Sequence, residues 1–255
     1  MIQVAIGAAL AAAVAAVAYR VRALSVGGAI AAFLVGAMVF GAGGWPGAAI
    51  LFAFFLPSTL LSRLGQARKR ALGDRAHGPR NGWQVLANGG VAAVCALAGL
   101  HATSPLAAAF AGAFAAASAD TWATEIGVLS QQPPVSILTL RRVEPGRSGG
   151  VTLLGGAASA GGALCVAVVA AILGLAPFWS VAVGGIAGSA FDSLLGASLQ
   201  SLRWCPQCKC ECETRRHECG SSTELRRGIS WMENDAVNFA ATLCGAVLAS
   251  LLAKA

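Results

Sequence analysis

Ser118-Ala-Asp120-Thr-Trp-Ala-Thr-Glu125-Ile-Gly127 follows directly on the apolar run Leu106 to Ala117. Carboxylates at the end of a membrane-length apolar segment are costly, so side chains of this kind face a cavity, a partner or a cation rather than lipid. The passage therefore marks both a span and the place where its chemistry begins.

The composition around it fits that reading. Of 255 residues, 56% are hydrophobic and 11% are charged, with a mean hydropathy of +0.69, far outside the range of soluble domains. The expectation is an all-α, polytopic transmembrane bundle forming one domain over residues 1–255. Runs long enough to cross about 30 Å of hydrocarbon lie near 2–19, 24–43, 46–62, 83–101, 104–121, 150–174, 178–199 and 235–253, about eight spans. The first run has no basic residues before it and Arg20 and Arg22 after it, so it reads as a retained span and not a signal peptide. Glycine pairs such as Gly155-Gly156, Gly161-Gly162 and Gly184-Gly185 read as close-packing positions between helices.

The connections alternate in charge. Segments 20–23, 63–82, 122–149 and 200–234 hold all but one of the 18 Lys and Arg, while the short connections near Gly44, Thr103 and Pro177 hold none. By the positive-inside rule the basic loops are cytoplasmic and both termini lie outside. The short connections predict antiparallel hairpins. The net charge of +7 is accounted for by this bias, and no nucleic-acid motif accompanies it.

Polar residues gather at the same ends of the spans. Asn81, Gln84 and Asn88 share a helix face, as do Asp120 with Thr124 and Thr121 with Glu125. Ser189, Asp192, Ser193 and Gly196 form a stripe, and Asn234, Asp235 and Asn238 open the last span. Structural roles stand beside the functional ones: helix capping for Asn234 or Asp235, an ion pair with a loop arginine for Asp120 or Glu125, and interhelical hydrogen bonding for Asn81, Gln84 and Asn88. Carboxylates facing basic loops suit phosphate and Mg²⁺ chemistry, since Mg²⁺ takes hard oxygen ligands and retains water and substrate phosphate. Arg141, Arg142 and Arg147 precede Gly149 and Gly150, where a helix N-terminus could receive phosphate; a topogenic role for these arginines is the alternative.

The segment 200–234 contains Cys205-Pro-Gln-Cys208-Lys-Cys210-Glu-Cys212 and then His217-Glu-Cys219. Cys205, Cys208, His217 and Cys219 are the favoured ligands for one structural Zn²⁺, with Cys210 or Cys212 as possible replacements and a metal-free, thiol-rich loop as the alternative. Cys95, Cys165 and Cys244 stand singly in spans and read as packing residues.

Several ordered blocks carry a resemblance: Ser-Ala-Asp120-Thr-Trp-Ala-Thr-Glu125-Ile-Gly, Gly-Gly150-Val-Thr-Leu-Leu-Gly, Asp192-Ser-Leu-Leu-Gly-Ala-Ser-Leu-Gln200, Asn234-Asp235-Ala-Val-Asn238 and Gln84-Val-Leu-Ala-Asn88-Gly-Gly. The chain resembles an integral-membrane family, long classed as a domain of unknown function, that includes plant phytyl-phosphate kinase. It departs from that family's pattern at Leu138-Thr139 and at Gly146-Arg147-Ser148. The resemblance implies a kinase that moves a phosphoryl group from a nucleoside triphosphate, with CTP as the leading donor, to an isoprenyl monophosphate. It implies Asp120, Glu125, Asp192 and Asp235 as the acidic, Mg²⁺-binding site, with Asn88 and Asn238 beside it.

The combined expectation is a membrane enzyme whose site faces the cytoplasm. Lys69, Arg80, Gln84, Asn88, Thr121, Arg141, Arg142, Arg147, Gly149, Gly150, Ser193, Asn234 and Asn238 are its candidate nucleotide- and substrate-binding residues. The partners are an isoprenyl monophosphate, a nucleoside triphosphate and membrane lipid. A transporter or flippase, or a cytidylyltransferase making a CDP-lipid, is the competing class. His77, His101 and His217 offer no convincing general base, and transfer to an ionised phosphate requires none.

Overall fold

A computed structural model describes residues 2–64, 78–100 and 104–254. They form seven helices: α1 (Ile2–Arg20), α2 (Val26–Leu61), α3 (Gly82–Ala98), α4 (Pro105–Gly127), α5 (Leu153–Ile172), α6 (Phe178–Ser198) and α7 (Asn234–Leu252). Five of them, α1, α2, α5, α6 and α7, are long and apolar enough to cross a membrane.

The expected second and third spans are the two arms of α2. Gly44 breaks the helix at φ 56°, ψ −148°, and the chain reverses there. A Cβ placed on Gly47 would lie 3.0 Å from the Val39 carbonyl oxygen, whereas eight residues of straight helix span about 12 Å. Pro46 falls in the first turn of the second arm, where a missing N–H costs no helical bond. The eight expected runs thus correspond to seven helices, one of them folded back on itself.

Caps fix where the helices begin. Ser25 accepts from the Gly28 amide, Ser104 from Ala107 with Pro105 at the first helical position, and Thr152 from Gly155. Asn81 and Gln84 form a reciprocal capping box at α3. The capping role considered for Asn234 and Asp235 is not found: Glu233 holds the cap position of α7 without a side-chain bond, and Asn234 and Asp235 lie inside the first turn.

Side-chain size is distributed inside out relative to a soluble protein. Every residue of α4 from Ala107 to Ala119 is buried, and all but Phe110 and Phe114 are Ala, Gly or Ser. Ile2, Val26, Leu153, Ile172 and Val247 point outward, as lipid solvation allows. Trp45 and Trp179 are exposed at one end, and Trp83 and Trp231 at the other, where interfacial aromatics belong. α4 is the hub and packs against α2, α3, α5, α6 and α7.

Glycine lets the backbones touch. A Cβ on Gly112 would lie 2.5 Å from the Gly245 carbonyl oxygen, and one on Gly162 would lie 2.7 Å from that of Ser118. Hydrogen bonds cross between helices as well, from Ser159 Oγ to Ser189 Oγ at 3.0 Å and from Thr242 Oγ1 to the Ala87 carbonyl at 3.0 Å. Such bonds contribute about 0.6 kcal/mol each in lipid.

The loops add structure that an all-helical expectation does not contain. β1 (Val135–Ser136) pairs antiparallel with β2 (Gly150–Val151), and β3 (Leu202–Cys205) pairs with both β4 (Cys210–Cys212) and β5 (Glu224–Arg227). The loops 21–25, 128–152 and 199–233, together with residues 78–81, gather at one end of the bundle. Arg80 bonds through its backbone to Ala23 and Ser25, Gly149 meets Ala197, and Gly228 meets Gln200.

Candidate functional site

The helix layers place the acids. Ala116 of α4, Gly188 of α6 and Ala241 of α7 meet in one layer, where a Cβ on Gly188 would stand 2.5 Å from the Ala116 Cβ and 2.8 Å from the Ala241 oxygen. One turn closer to the loops, α4 presents Asp120, α6 presents Asp192 and α7 presents Val237 and Asn238. The carboxyl groups of Asp120 and Asp192 come within hydrogen-bonding reach of each other. Asp192 Oδ2 is buried without a hydrogen-bond partner. Two carboxylates held together and shielded from water need a shared proton or a cation between them.

A third acid joins this pair, and the sequence did not single it out. Glu213, just beyond β4, is close enough for its charge to act on Asp192. Its Oε2 accepts from Gln200 Nε2 at 2.8 Å and its Oε1 from the Ser148 amide at 3.2 Å. Gln200 Nε2 also donates to Ser148 Oγ at 2.9 Å. Gln200, only 2% exposed, therefore ties the α6 end, the loop before α5 and the Cys/His loop together. A Glu between Cys212 and His217 has no local pattern that announces this; its position depends on the β3–β4 pairing.

The two other expected acids have charged neighbours of their own. Glu125, further along α4, acts on Arg80. Burial pulls the Arg80 guanidinium below its usual value, and the Glu125 charge opposes that pull. Asp235 occupies the first turn of α7, where it complements the helix dipole, and the charge acting on it is that of Glu233. Thr121 and Ser193 are partly buried next to Asp120 and Asp192 in sequence. Asn238 is partly buried in the same layer, and Asn234 is exposed.

Several candidate binding residues have structural employment. Gln84 Oε1 accepts from the Asn81 amide at 2.9 Å, and Asn88 Nδ2 donates to the Gln84 carbonyl at 2.9 Å. Arg147 pairs with Glu211 at 3.4 Å. Gly149, at φ +77°, lies flat against α6, and a Cβ on it would overlap the backbone of Ala197. Gly150 pairs with Ser136 in the β1–β2 sheet. The Gly155 amide at the start of α5 is taken by Thr152 Oγ1 at 3.0 Å. Arg141 and Arg142 are exposed at the same end. Lys69 lies outside the described residues.

The Cys/His loop assembles the four side chains selected by spacing. The ligand atoms of Cys205, Cys208, His217 and Cys219 lie within 4.8 Å of one another. Burial works to raise the Cys205 thiol, but hydrogen bonds from the Cys208 and Gln207 amides and from Cys219 outweigh it and bring the thiol below its ordinary value. Cys208 is pushed up to about 12, chiefly by its hydrogen bond with Cys219.

Comparison with known proteins agrees with this architecture. Protein PGR of Arabidopsis thaliana is 31% identical over 267 residues, covering 91% of this chain and 90% of the relative. A membrane protein of Methanocaldococcus jannaschii is 28% identical over 211 residues, 80% of this chain and 74% of its own length. The chloroplastic protein VTE6 of Arabidopsis thaliana is 25% identical over 243 residues, 91% of this chain and 66% of its own. No solved structure matches the chain. The integral membrane protein family DUF92 matches residues 9–246, and the chain belongs to that family.

Proposed function

We propose that the chain is a membrane-embedded prenyl-phosphate kinase, transferring the terminal phosphoryl group of a nucleoside triphosphate to an isoprenyl monophosphate. The observation that carries this reading is the Asp120–Asp192 pair: two carboxyls side by side at the loop end of the bundle, one oxygen buried and unpartnered, among loops rich in Arg. The similarity to VTE6 and the resemblance to the family that includes plant phytyl-phosphate kinase support the same class.

In this reading an oxygen of the lipid monophosphate attacks the terminal phosphorus of the nucleotide. The bond from that phosphorus to its bridging oxygen breaks, and the nucleoside diphosphate leaves. Asp120 and Asp192, with Glu213 behind them, are suited to hold Mg²⁺, which when bound would neutralise phosphate charge. Asp120 and Asp192 act as its anionic cradle because each brings a carboxyl to the other's side. Arg80, Arg141 and Arg142 draw phosphate oxygens to the loop end, and Arg147 adds to the basic charge there. Thr121 and Ser193 supply neutral donors beside the acids. The prenyl tail remains in the hydrocarbon against the outward Leu, Ile and Val side chains, and the positive-inside bias of the loops supports a site on the cytoplasmic side.

The test is phosphoryl transfer by purified protein in detergent with Mg²⁺, each labelled nucleoside triphosphate in turn and a panel of prenyl monophosphates. Terminal label in a lipid diphosphate is the expected result. Label from the base entering the lipid would replace the kinase with a cytidylyltransferase, and no labelled lipid under any combination would reject both.

A further inference from the structure

The Cys/His loop has geometry that thiols without a metal do not require. Cys205 Sγ is buried and accepts from the Cys208 amide at 3.4 Å, while the Lys209 amide closes a turn onto the Cys205 carbonyl at 2.9 Å. Lys209 completes that turn at φ +53°, a left-handed conformation costly for a residue with a Cβ. The turn aims the Cys208 amide N–H at the Cys205 sulfur, leaving that sulfur facing Cys219. Across from it, Cys219 Sγ stands 3.5 Å from Cys205 Sγ and 3.3 Å from His217 Nδ1. Sulfurs at two corners of a Zn²⁺ tetrahedron with bonds of about 2.3 Å are roughly 3.8 Å apart, so the cluster needs only small adjustments to close on an ion.

The second ring nitrogen of His217 has a partner of its own: Nε2 lies 3.6 Å from Cys210 Sγ. This arrangement directs Nδ1 to the metal and leaves Nε2–H to donate to the Cys210 sulfur, the kind of outer contact that fixes an imidazole's tautomer. Cys212 has other contacts, with its Sγ 3.8 Å from the Thr214 carbonyl. The choice among six clustered thiol and imidazole groups, left open by spacing alone, falls on four.

We propose that Cys205, Cys208, His217 and Cys219 form a closed tetrahedral Zn²⁺ site whose task is to hold β4 and Glu213 in place beside Asp192. The ion ties the turn after β3 to the segment after β4. Between these two fixed points the chain carries Glu211, paired with Arg147, and Glu213, bonded to Gln200 and the Ser148 amide. Without the ion, the segment that presents Glu213 loses its covalent-strength tie to the turn after β3 and keeps only its short sheet and these polar contacts. The site is a positioning device, and its existence does not depend on the kinase reading.

The test begins with metal analysis of the full chain purified in detergent. The expected result is about one equivalent of zinc, lost in Cys205→Ser and Cys208→Ser and kept in Cys210→Ser and Cys244→Ser. Absence of zinc from the parent protein, or its retention in the Cys205 and Cys208 variants, overturns the site. Because those variants could also misfold, the parent protein is stripped with a chelator and refilled with Co²⁺. Intense tetrahedral d–d absorption with thiolate charge transfer supports the closed shell, and a weak octahedral spectrum overturns it. Hydrogen exchange then reads the positioning role: the peptide containing Ser148 exchanges faster in stripped protein and recovers on refilling. Unchanged exchange there would reduce the ion to a local clip and overturn its link to Glu213.

Discussion

Asp192→Asn separates charge from shape at the point where the two carboxyls meet. With both carboxyls ionised, two like charges about 4 Å apart would repel by about 4 kcal/mol at an effective dielectric of 20, so without a cation the pair must hold a shared proton. The amide is nearly isosteric and can donate to Asp120, so the metal-free variant should unfold at the same temperature as the parent or higher. The parent should gain stability as Mg²⁺ is added, by about 2.7 kcal/mol at a hundredfold excess over its dissociation constant. The variant should lose most of that gain, and its turnover should drop about 100-fold or more, as expected when a preorganised electrostatic group is removed. Thermal unfolding in detergent across a Mg²⁺ series, beside the phosphoryl-transfer assay, measures both. A metal-free variant several degrees less stable than the parent would mean that the pair is a satisfied structural contact, and the argument for a cation there would be wrong.

Gly188→Ala and Gly184→Ala make a matched pair, since a Cβ would lie 2.8 Å from the Ala241 oxygen at the first and 2.7 Å from the Gly245 oxygen at the second. Both should cost about 1–3 kcal/mol by overpacking, but only Gly188 lies one turn from the acids, so its turnover should fall much further; equal losses of turnover would break the layer argument. Glu213→Ala removes the charged acceptor of buried Gln200, leaving it Ser148 Oγ, and strips the Ser148 amide of its partner, and should cost about 1–3 kcal/mol in thermal unfolding. Glu211→Gln, which removes a half-exposed pair with Arg147, should cost less than about 1 kcal/mol; the reverse order would show that the Gln200 junction does not tie the loops together.

The parts of the fold readable from sequence were those governed by local rules. Gly43-Gly44-Trp-Pro46 announces a reversal by its lack of polar length and its helix-breaking residues, and the chain does turn there. Alternating charge in the loops separated the two ends of the bundle. The pattern Asn81-x-x-Gln84 could have been read as a capping box, yet its polarity also fits a binding face, and composition alone does not choose between them. At α7 the helix begins one residue earlier than the two best capping residues suggest, with Glu233 as the cap. Boundaries shift this easily when the first turn is held by neighbouring elements. Gly149 illustrates the opposite limit. Its reason for being glycine is the backbone of Ala197, far along the chain, and no local signal distinguishes that from a phosphate loop.

The acidic pair and the small-residue helices have one physical origin. A carboxylate on one membrane helix reaches its counterpart on another only if the axes approach closely, and close approach requires the positions one turn below to lack bulk. Ala116 and Gly188 meet that requirement directly beneath Asp120 and Asp192, and Gly112, Gly184 and Gly245 continue it toward the other end. Apolar side chains would fill the same volume with less close contact, because lipid supplies no hydrophobic drive to press helices together. The opposing cost is electrostatic, and Glu213, held by Gln200 and the Ser148 amide, adds to it. Packing therefore brings the acids together, while the loops leave Asp192 Oδ2 without a partner of its own. That juxtaposition of two carboxyls, made possible by the small residues beneath them, is the feature on which the proposed phosphate chemistry rests.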